Sequence, residues 1–256
     1  MSKKQNPMTK HGNTQELLGA YRLLEDWVSA MADRVRNPIA GILAALKIIE
    51  EQVDPEKRRT SIDKKVIYDV SQRITGRLME LDQYLSELSN FSQPTSLSPE
   101  HFDLSTVMKS VCQEFSQRTG YDSPTHLSVE CDPFEIYADK QKMAQTLQAL
   151  ILNSIEAIGA KPNPKIHLKA EHSTVNQQTV ITIDDNGPGF PMDVHEQLMK
   201  PFTSFKETGS GLGLALVKKY IEAHQGTVAL NNIQDPQMGA RVTITLKNSL
   251  TNINGN

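Results

Sequence analysis

Cysteine is scarce in this chain. Cys112 and Cys131 are its only two among 256 residues, too few for a disulfide scaffold and without metal-ligand spacing. They read as reduced thiols of a cytoplasmic protein. No apolar run approaches the ~18 residues needed to cross a bilayer, and the polar opening MSKKQNPMTKHGNTQ is not a signal peptide. A signal is therefore expected to arrive through another protein or through the N-terminal arm. The chain also lacks a basic excess: its net charge is −3, which argues against nucleic acid as a partner. Hydrophobic content of 38% with 22% charged residues describes an ordinary soluble chain with room for one or two domains.

Two patterns follow one another. Residues 1–13 are polar and read as a flexible arm, with His11 ahead of the first helix. From Leu17 the apolar positions Tyr21, Leu24, Val28, Met31, Val35, Pro38, Ile42, Ala45 and Ile49 alternate four and three apart, a heptad seam on one long helix. Pro38 predicts a kink over Arg34 to Pro38. A polar stretch over 51–61 reads as a turn, and Ile74, Leu78, Leu81, Leu85, Leu88 and Phe91 carry the same rhythm on a second helix. The resulting hairpin, residues 14–91, cannot bury its stripe alone, so pairing of two copies into a homodimeric four-helix bundle is expected. The plainer reading is a generic coiled-coil dimeriser.

Residues 92–99, Ser-Gln-Pro-Thr-Ser-Leu-Ser-Pro, have the composition of a linker. Beyond it strands alternate with helices over 100–248. Short strands are expected at His101–Ser105, Leu127–Cys131 and Phe134–Ala138, with Ser105 capping a helix over Thr106–Gln117 and Asp139 capping the helix that carries Asn153. Two hairpins of strands follow, Lys165–Glu171 with Gln178–Asp184 and Gly226–Asn231 with Ala240–Leu246. The fold class is thus an α-helical hairpin followed by an α/β sandwich, a mixed sheet covered by helices on one face. Residues 249–256 read as a flexible tail.

The stretch from Asp184 to Leu214 holds the chemistry. It opens with Asp184-Asp185-Asn186-Gly187-Pro188-Gly189-Phe190 and closes with Gly209-Ser210-Gly211-Leu212-Gly213-Leu214, around a segment containing Pro201-Phe202-Thr203-Ser204-Phe205-Lys206. Glycine lets backbone approach a ligand closely, so two glycine clusters around a movable segment suit a nucleotide site with a lid. An acidic side chain ahead of the first cluster is able to accept a hydrogen bond from the exocyclic amine of adenine. The helix from Ala215 would turn its N-terminal amides toward anionic oxygen. Upstream, Asn153 lies on a helix and offers an oxygen to a magnesium ion on the phosphates.

Together these segments resemble the N, G1, F and G2 boxes of the ATP-binding domain of two-component sensor histidine kinases, within the gyrase, chaperone, kinase and MutL ATPase superfamily. The resemblance implies a Bergerat-type fold binding ATP and Mg. It makes Asp185 the adenine reader, gives the pocket floor to Gly187 and Gly189, and places Gly209, Gly211, Leu212 and Gly213 in the lid beside the phosphates. Asn153 becomes the magnesium ligand. Lys206 either reaches a phosphate or is a solvated charge. Two positions depart from the family: Ala149 stands where an Asn is frequent, and Gln145 stands where an acid or amide precedes it, able to orient a group but not to take a proton.

The segment Met31-Ala-Asp33-Arg34-Val-Arg-Asn37-Pro38-Ile looks like the family's histidine-bearing box, H-E-hydrophobic-R-N-P-L. Asp33 stands at the phosphoacceptor position and Arg34 at that of the neighbouring acid. None of the seven histidines is expected on the hairpin. A carboxylate acceptor would give a high-energy acyl phosphate, and Arg34 is expected to pair with Asp33, so labelling by ATP should fail; a solvated Asp-Arg pair is the plain alternative. In this family an Asn or Thr four positions after the acceptor holds the water that dephosphorylates a receiver, and Asn37 occupies that position or simply favours the kink. The resemblance implies a response-regulator receiver as partner, beside a second copy and a sensor protein that supplies the signal. A non-catalytic ATP-dependent binding module for a partner kinase or receiver is the competing reading. A serine kinase or anti-sigma factor of the same superfamily would not need the hairpin.

Overall fold

The computed structural model describes residues 8–53, 64–119, 126–191, 195–204, 209–234 and 238–247. It divides into two compact units, residues 1–88 and 89–256.

The first unit holds α1 (Met8–Val53) and most of α2 (Lys64–Ser92). Helix α1 runs unbroken through Pro38. It also begins six residues before position 14, so His11 lies on the helix rather than ahead of it. Polar composition does not stop a helix: extension of a formed helix costs little per residue once the apolar stripe has nucleated it. Buried Pro38 and Ala45 lie on the expected seam of α1, whereas Val28, another of its residues, is exposed. On α2 the stripe is different. Val70 and Tyr84 are buried, whereas Leu78 and Leu85, two of the expected seam residues, are exposed. Among the described residues, no helix is long and apolar enough to cross a membrane.

In the second unit, β1 (Glu100–Asp103) pairs antiparallel with β3 (Glu135–Ala138). Helix α3 (Leu104–Thr119) starts directly after β1. Its first turn is held by Asp103, not by Ser105: the carboxylate accepts from the Ser105 amide at 2.9 Å and from the Ser105 and Thr106 hydroxyls at 3.0 and 2.8 Å. The Thr106 hydroxyl chiefly holds the Asp103 carboxyl below its usual range. Asp103, directly ahead of the helix, reaches the Ser105 amide from two residues back.

The larger sheet, in the order β2 (Leu127–Cys131), β4 (Ile166–Ser173), β5 (Gln178–Asp185), β7 (Gly239–Lys247), β6 (Thr227–Ile233), is mixed: β2 and β4 are parallel and the other pairs antiparallel. Helices α3, α4 (Lys140–Ile158) and α6 (Gly213–Ala223) contribute Met108, Leu147, Ile151, Val217 and Ile221 to a core shared with Leu168, Ile181, Ile183 and Ile244 of the strands. A short α5 spans His195–Leu198.

Asp139 caps α4 as expected, accepting from the Lys142 amide at 2.9 Å. It also ties down the linker through the Ser98 amide at 2.9 Å. Its own amide donates to His224 Nε2 at 3.0 Å, which leaves the proton of that ring on Nδ1, 2.7 Å from the Tyr220 carbonyl oxygen it donates to. Burial pushes the Asp139 carboxyl up, but the two amides and His224 bring it below its usual value. Such a group stabilises the fold above the unfolded pKa, and the contribution is lost as pH falls through the lower, folded value. Asp139→Ala should cost about 1–2 kcal/mol of unfolding free energy at neutral pH. The difference from wild type, followed by urea unfolding, should shrink as pH drops below about 4.

Candidate functional site

Strand alternation separates the two aspartates that end β5. Asp184 faces outward and takes two bonds from Arg241 of β7, at 2.7 and 2.6 Å. Asp185 faces the core side with Ile181 and Ile183 and is 9% exposed. Its Oδ1 accepts from the Gly187 amide at 2.8 Å and the Ala240 amide at 3.3 Å, and its Oδ2 from the Ser154 hydroxyl at 3.1 Å. Burial raises the carboxyl above its usual range, partly opposed by those three donors, with the nearby Asp184 charge adding to the rise. A carboxylate has about four acceptor sites, so capacity for an incoming amine remains.

The turn after Asp185 is held from outside. Asn186 Oδ1 accepts from the Lys165 amide and its Nδ2 donates to the Asn163 carbonyl, both at 2.9 Å. The Lys161 ammonium donates to the Asn186 carbonyl. A Cβ on Gly187 would stand 2.9 Å from Asp185 Oδ1, so any side chain there would push the carboxylate aside. At the far end of the turn, the Asn232 side chain of β6 bonds both the amide and the carbonyl of Phe190.

Gly211 shows why the second cluster is glycine. Its φ is +69°, and a Cβ would lie 2.6 Å from the Phe202 carbonyl carbon and 2.8 Å from the Thr203 nitrogen. The backbone leading into the lid thus packs directly on the backbone leading out of it. Phe202 itself has a φ of +63°, uncommon for a bulky residue and of a kind that gathers at binding sites. Leu212 is buried and occupies the N-cap of α6 without a side-chain cap bond, so the first-turn amides are not closed by an oxygen of their own cap. Such a helix start suits an anion.

Asn153 of α4 abuts this same point: a Cβ on Gly213 would lie 3.3 Å from its Nδ2. An amide oxygen suits a hard cation. Among the described residues there is no cluster of three or more His, Cys, Asp or Glu able to hold a metal, so an ion at Asn153 would share its coordination with phosphates. Gln145 sits two turns earlier on α4, about 12 Å along the axis from Asn153, with its Oε1 buried. Gly209 lies at the lid's exit, and Lys206 lies outside the described residues.

In the hairpin, Asp33 is exposed, its side chain 64% accessible, and Asn37 is exposed one turn along. The expected Asp33–Arg34 pair does not form: Asp33 accepts from Arg36 at 2.9 Å. Arg34 is half-buried among α2 residues, where burial lowers its pKa while Tyr84 and Glu87 favour its charged form. A neighbour at i+1 points some 100° away around a helix, whereas i+3 shares the face.

Ser154, Asn232 and Ala240 were not singled out from the sequence. Ser154 follows Asn153 directly, and the pattern of a buried hydroxyl one residue past a ligand was available to be read. Asn232 and Ala240 carry no local signal, because only the β6–β7 pairing brings them to the turn.

The family of histidine kinase-, DNA gyrase B-, and HSP90-like ATPases matches residues 138–250, which include Asp185, Asn153 and both glycine clusters. Nitrogen regulation protein NtrY of Azorhizobium caulinodans is 26% identical over 255 residues, covering 95% of this chain and 32% of its own length. Sensory histidine kinase/phosphatase NtrB of Rhizobium meliloti is 27% identical over 223 residues, covering 82% of this chain and 55% of its own length. The chain thus spans about a third to just over half of these relatives. Histidine kinase ThkA, solved in complex with response regulator protein TrrA, shares the fold over 96% of this chain and 68% of its own, with a TM-score of 0.69 at 20% identity. Residues 138–250 of the second unit are therefore similar to the ATPase domains of histidine kinases, DNA gyrase B and HSP90. With its helical unit, the chain is similar to two-component sensor histidine kinases along most of its length.

Because burial raises the Asp185 carboxyl, its charge opposes folding of the ligand-free protein: a raised folded pKa gives a contribution present at low pH and lost as pH rises through the folded value. Asp185→Asn should leave the melting temperature equal or higher at pH 7, an advantage that fades on acidification, while ATP affinity falls about tenfold or more for the weaker acceptor. Scanning calorimetry and titration calorimetry on the same variant check both halves.

Proposed function

We propose that this chain binds Mg-ATP and acts on a response-regulator receiver, with autophosphorylation lost at the position where the family carries its histidine and with a remaining capacity to dephosphorylate the receiver. The observation that carries the reading is the pairing of a built adenine end, Asp185 with Ser154 and the Gly187 amide, with an acceptor position held by Asp33 and neutralised by Arg36. In ATP binding, Asp185 accepts from the exocyclic amine, the α6 start and its glycines receive the phosphates, and Asn153 holds the magnesium ion. That ion supplies charge neutralisation for the phosphates. Lys206 is assigned to a phosphate on sequence grounds alone.

Asp33 is a poor acceptor because an acyl phosphate is a higher-energy product than ATP readily gives and because Arg36 holds its oxygen. Arg34, turned toward Tyr84 and Glu87, offers no acid–base help. His11 does not replace it: 22 residues of helix place it about 33 Å away along α1. Asn37 remains exposed on the face of Asp33. Its amide oxygen is suited to accept from a water and set it in line with an aspartyl phosphate, so that the P–O bond to the receiver breaks and inorganic phosphate leaves. The name of NtrB, kinase/phosphatase, and the receiver-bound structure of ThkA support a receiver as partner.

With γ-labelled ATP the chain should acquire no stable label, and a chemically phosphorylated cognate receiver should lose phosphate faster with wild type than with Asn37→Ala. Equal decay for both, at the rate of the receiver alone, would favour a non-catalytic, ATP-dependent binding module for a receiver or partner kinase, a reading that the Asp33–Arg36 pair also suits.

The hairpin is assigned as a homodimer. Ile39, Leu43 and Leu46 on α1 and Ile67, Leu78 and Leu85 on α2 are all exposed, and an apolar face of that extent calls for a partner. A second copy meets it with the same stripe, closing a four-helix bundle. Leu43→Lys or Leu78→Lys should give a monomer of retained helicity by light scattering and circular dichroism, whereas Leu81→Lys, placed in the half-buried seam, should lose helicity as well.

A further inference from the structure

The turn that carries the adenine-reading carboxylate closes on Asn232, a residue in neither glycine cluster. Its Oδ1 accepts from the Phe190 amide at 2.6 Å and its Nδ2 donates to the Phe190 carbonyl oxygen at 2.9 Å, so one side chain makes both bonds that a neighbouring strand would make. The same carboxamide fills the space over Gly189, whose φ is +81°: a Cβ there would lie 2.7 Å from Asn232 Oδ1 and 3.3 Å from the Gly239 carbonyl oxygen. Asn232 pairs with Ala240 across the β6–β7 ladder. Ala240 in turn donates its amide to Asp185 Oδ1. The end of this hairpin therefore holds the turn at both ends, Asp185 through a backbone amide and Phe190 through a side chain. Between them lies Gly187, whose amide is the shorter of the two bonds to Oδ1.

We propose that Asn232 is a positioning residue for adenine selection: by fixing Gly189 and Phe190 it keeps the Gly187 amide on Oδ1 of Asp185 and so holds the carboxylate at one angle toward the base. It touches no nucleotide atom in this role. The geometry accounts for the residue type. An aspartate would keep the acceptor for the Phe190 amide but present a second oxygen to the Phe190 carbonyl, and an alanine would make neither bond. The inference rests on the assignment of Asp185 as adenine reader, and the test separates the two.

Affinities for ATP and for purine riboside triphosphate, which lacks the 6-amino group, are measured by titration calorimetry with magnesium on wild type, Asp185→Asn, Asn232→Ala and Asn232→Asp. The readout is the ratio of the two affinities, which a general loss of folded protein does not change because both ligands bind the same folded fraction. Wild type is expected to prefer ATP by about tenfold, the size of one well-made hydrogen bond. In Asn232→Ala the preference should fall to about threefold or less, with Asn232→Asp between the two. An unchanged preference in the folded Asn232 variants would overturn the inference. Should the alanine variant fail to fold by circular dichroism, an unchanged preference in Asn232→Asp alone overturns it. A wild type with no preference for ATP, matched by Asp185→Asn, would instead remove the adenine assignment of Asp185 and the inference with it.

Discussion

A carboxylate taken out of water has to be surrounded by donors, and the second unit is arranged to supply them to Asp185. Burial disfavours its charge. Three donors from three different parts of the chain answer this: Ser154 from α4, Gly187 from the turn, and Ala240 from β7. Each has to be delivered to within about 3 Å, which constrains the fold. Strand β5 lies in the middle of its sheet, so both neighbours brace it. Asp139, at the other end of α4, fixes where that helix begins and thereby where Ser154 and Asn153 come to lie.

The same helix connects the turn at Asp185 to the start of α6. Asn153 and Ser154 are adjacent, yet one contacts the start of α6 at Gly213 and the other contacts Asp185. Successive helical residues point about 100° apart, so a single turn of α4 serves both ends. From Gly213, α6 runs on to Lys219, whose ammonium donates to the Phe91 and Gln93 carbonyls at 2.5 Å each and lies 5.3 Å from the Phe91 ring centroid. The Phe91 carbonyl belongs to the last turn of α2, where a helix leaves acceptors without intrahelical partners, and Gln93 follows directly after that helix. Phe91 also meets Phe202 edge-on at 6.4 Å. Phe202, helix α6 and the stretch from Phe91 to Gln93 are thus joined by direct contacts within this unit.

In the hairpin the decisive fact is one of direction around a helix. Asp33 and Arg34 are adjacent in sequence but do not share a face, so the opposite charges that look like a pair separate. Arg34 turns to Tyr84 and Glu87 of α2, and Asp33 takes Arg36, one turn on. The exposed pair adds little stability. What it does change is the chemical character of position 33, where a carboxylate oxygen is already bonded to a guanidinium.

Much of this could be read along the chain, because it depends on local rules. Hydrophobic period distinguished the long helices from the strands, glycine spacing marked the backbone that must approach a ligand, and Asp139 announced the helix it caps. Asp185, Asn153 and Gly211 were found in this way and stand together in the fold. Other features have no local signature. Whether Ser105 or Asp103 caps α3 depended on which of two positions, two residues apart, lies directly ahead of the helix. That Tyr84 of α2 is buried while Leu78 and Leu85 are exposed is not legible in the heptad rhythm. Asn232 and Ala240 reach the turn only through the β6–β7 ladder, 42 residues beyond Phe190 and 55 beyond Asp185. A strand register is set by the pairing of distant segments, and composition carries no record of it.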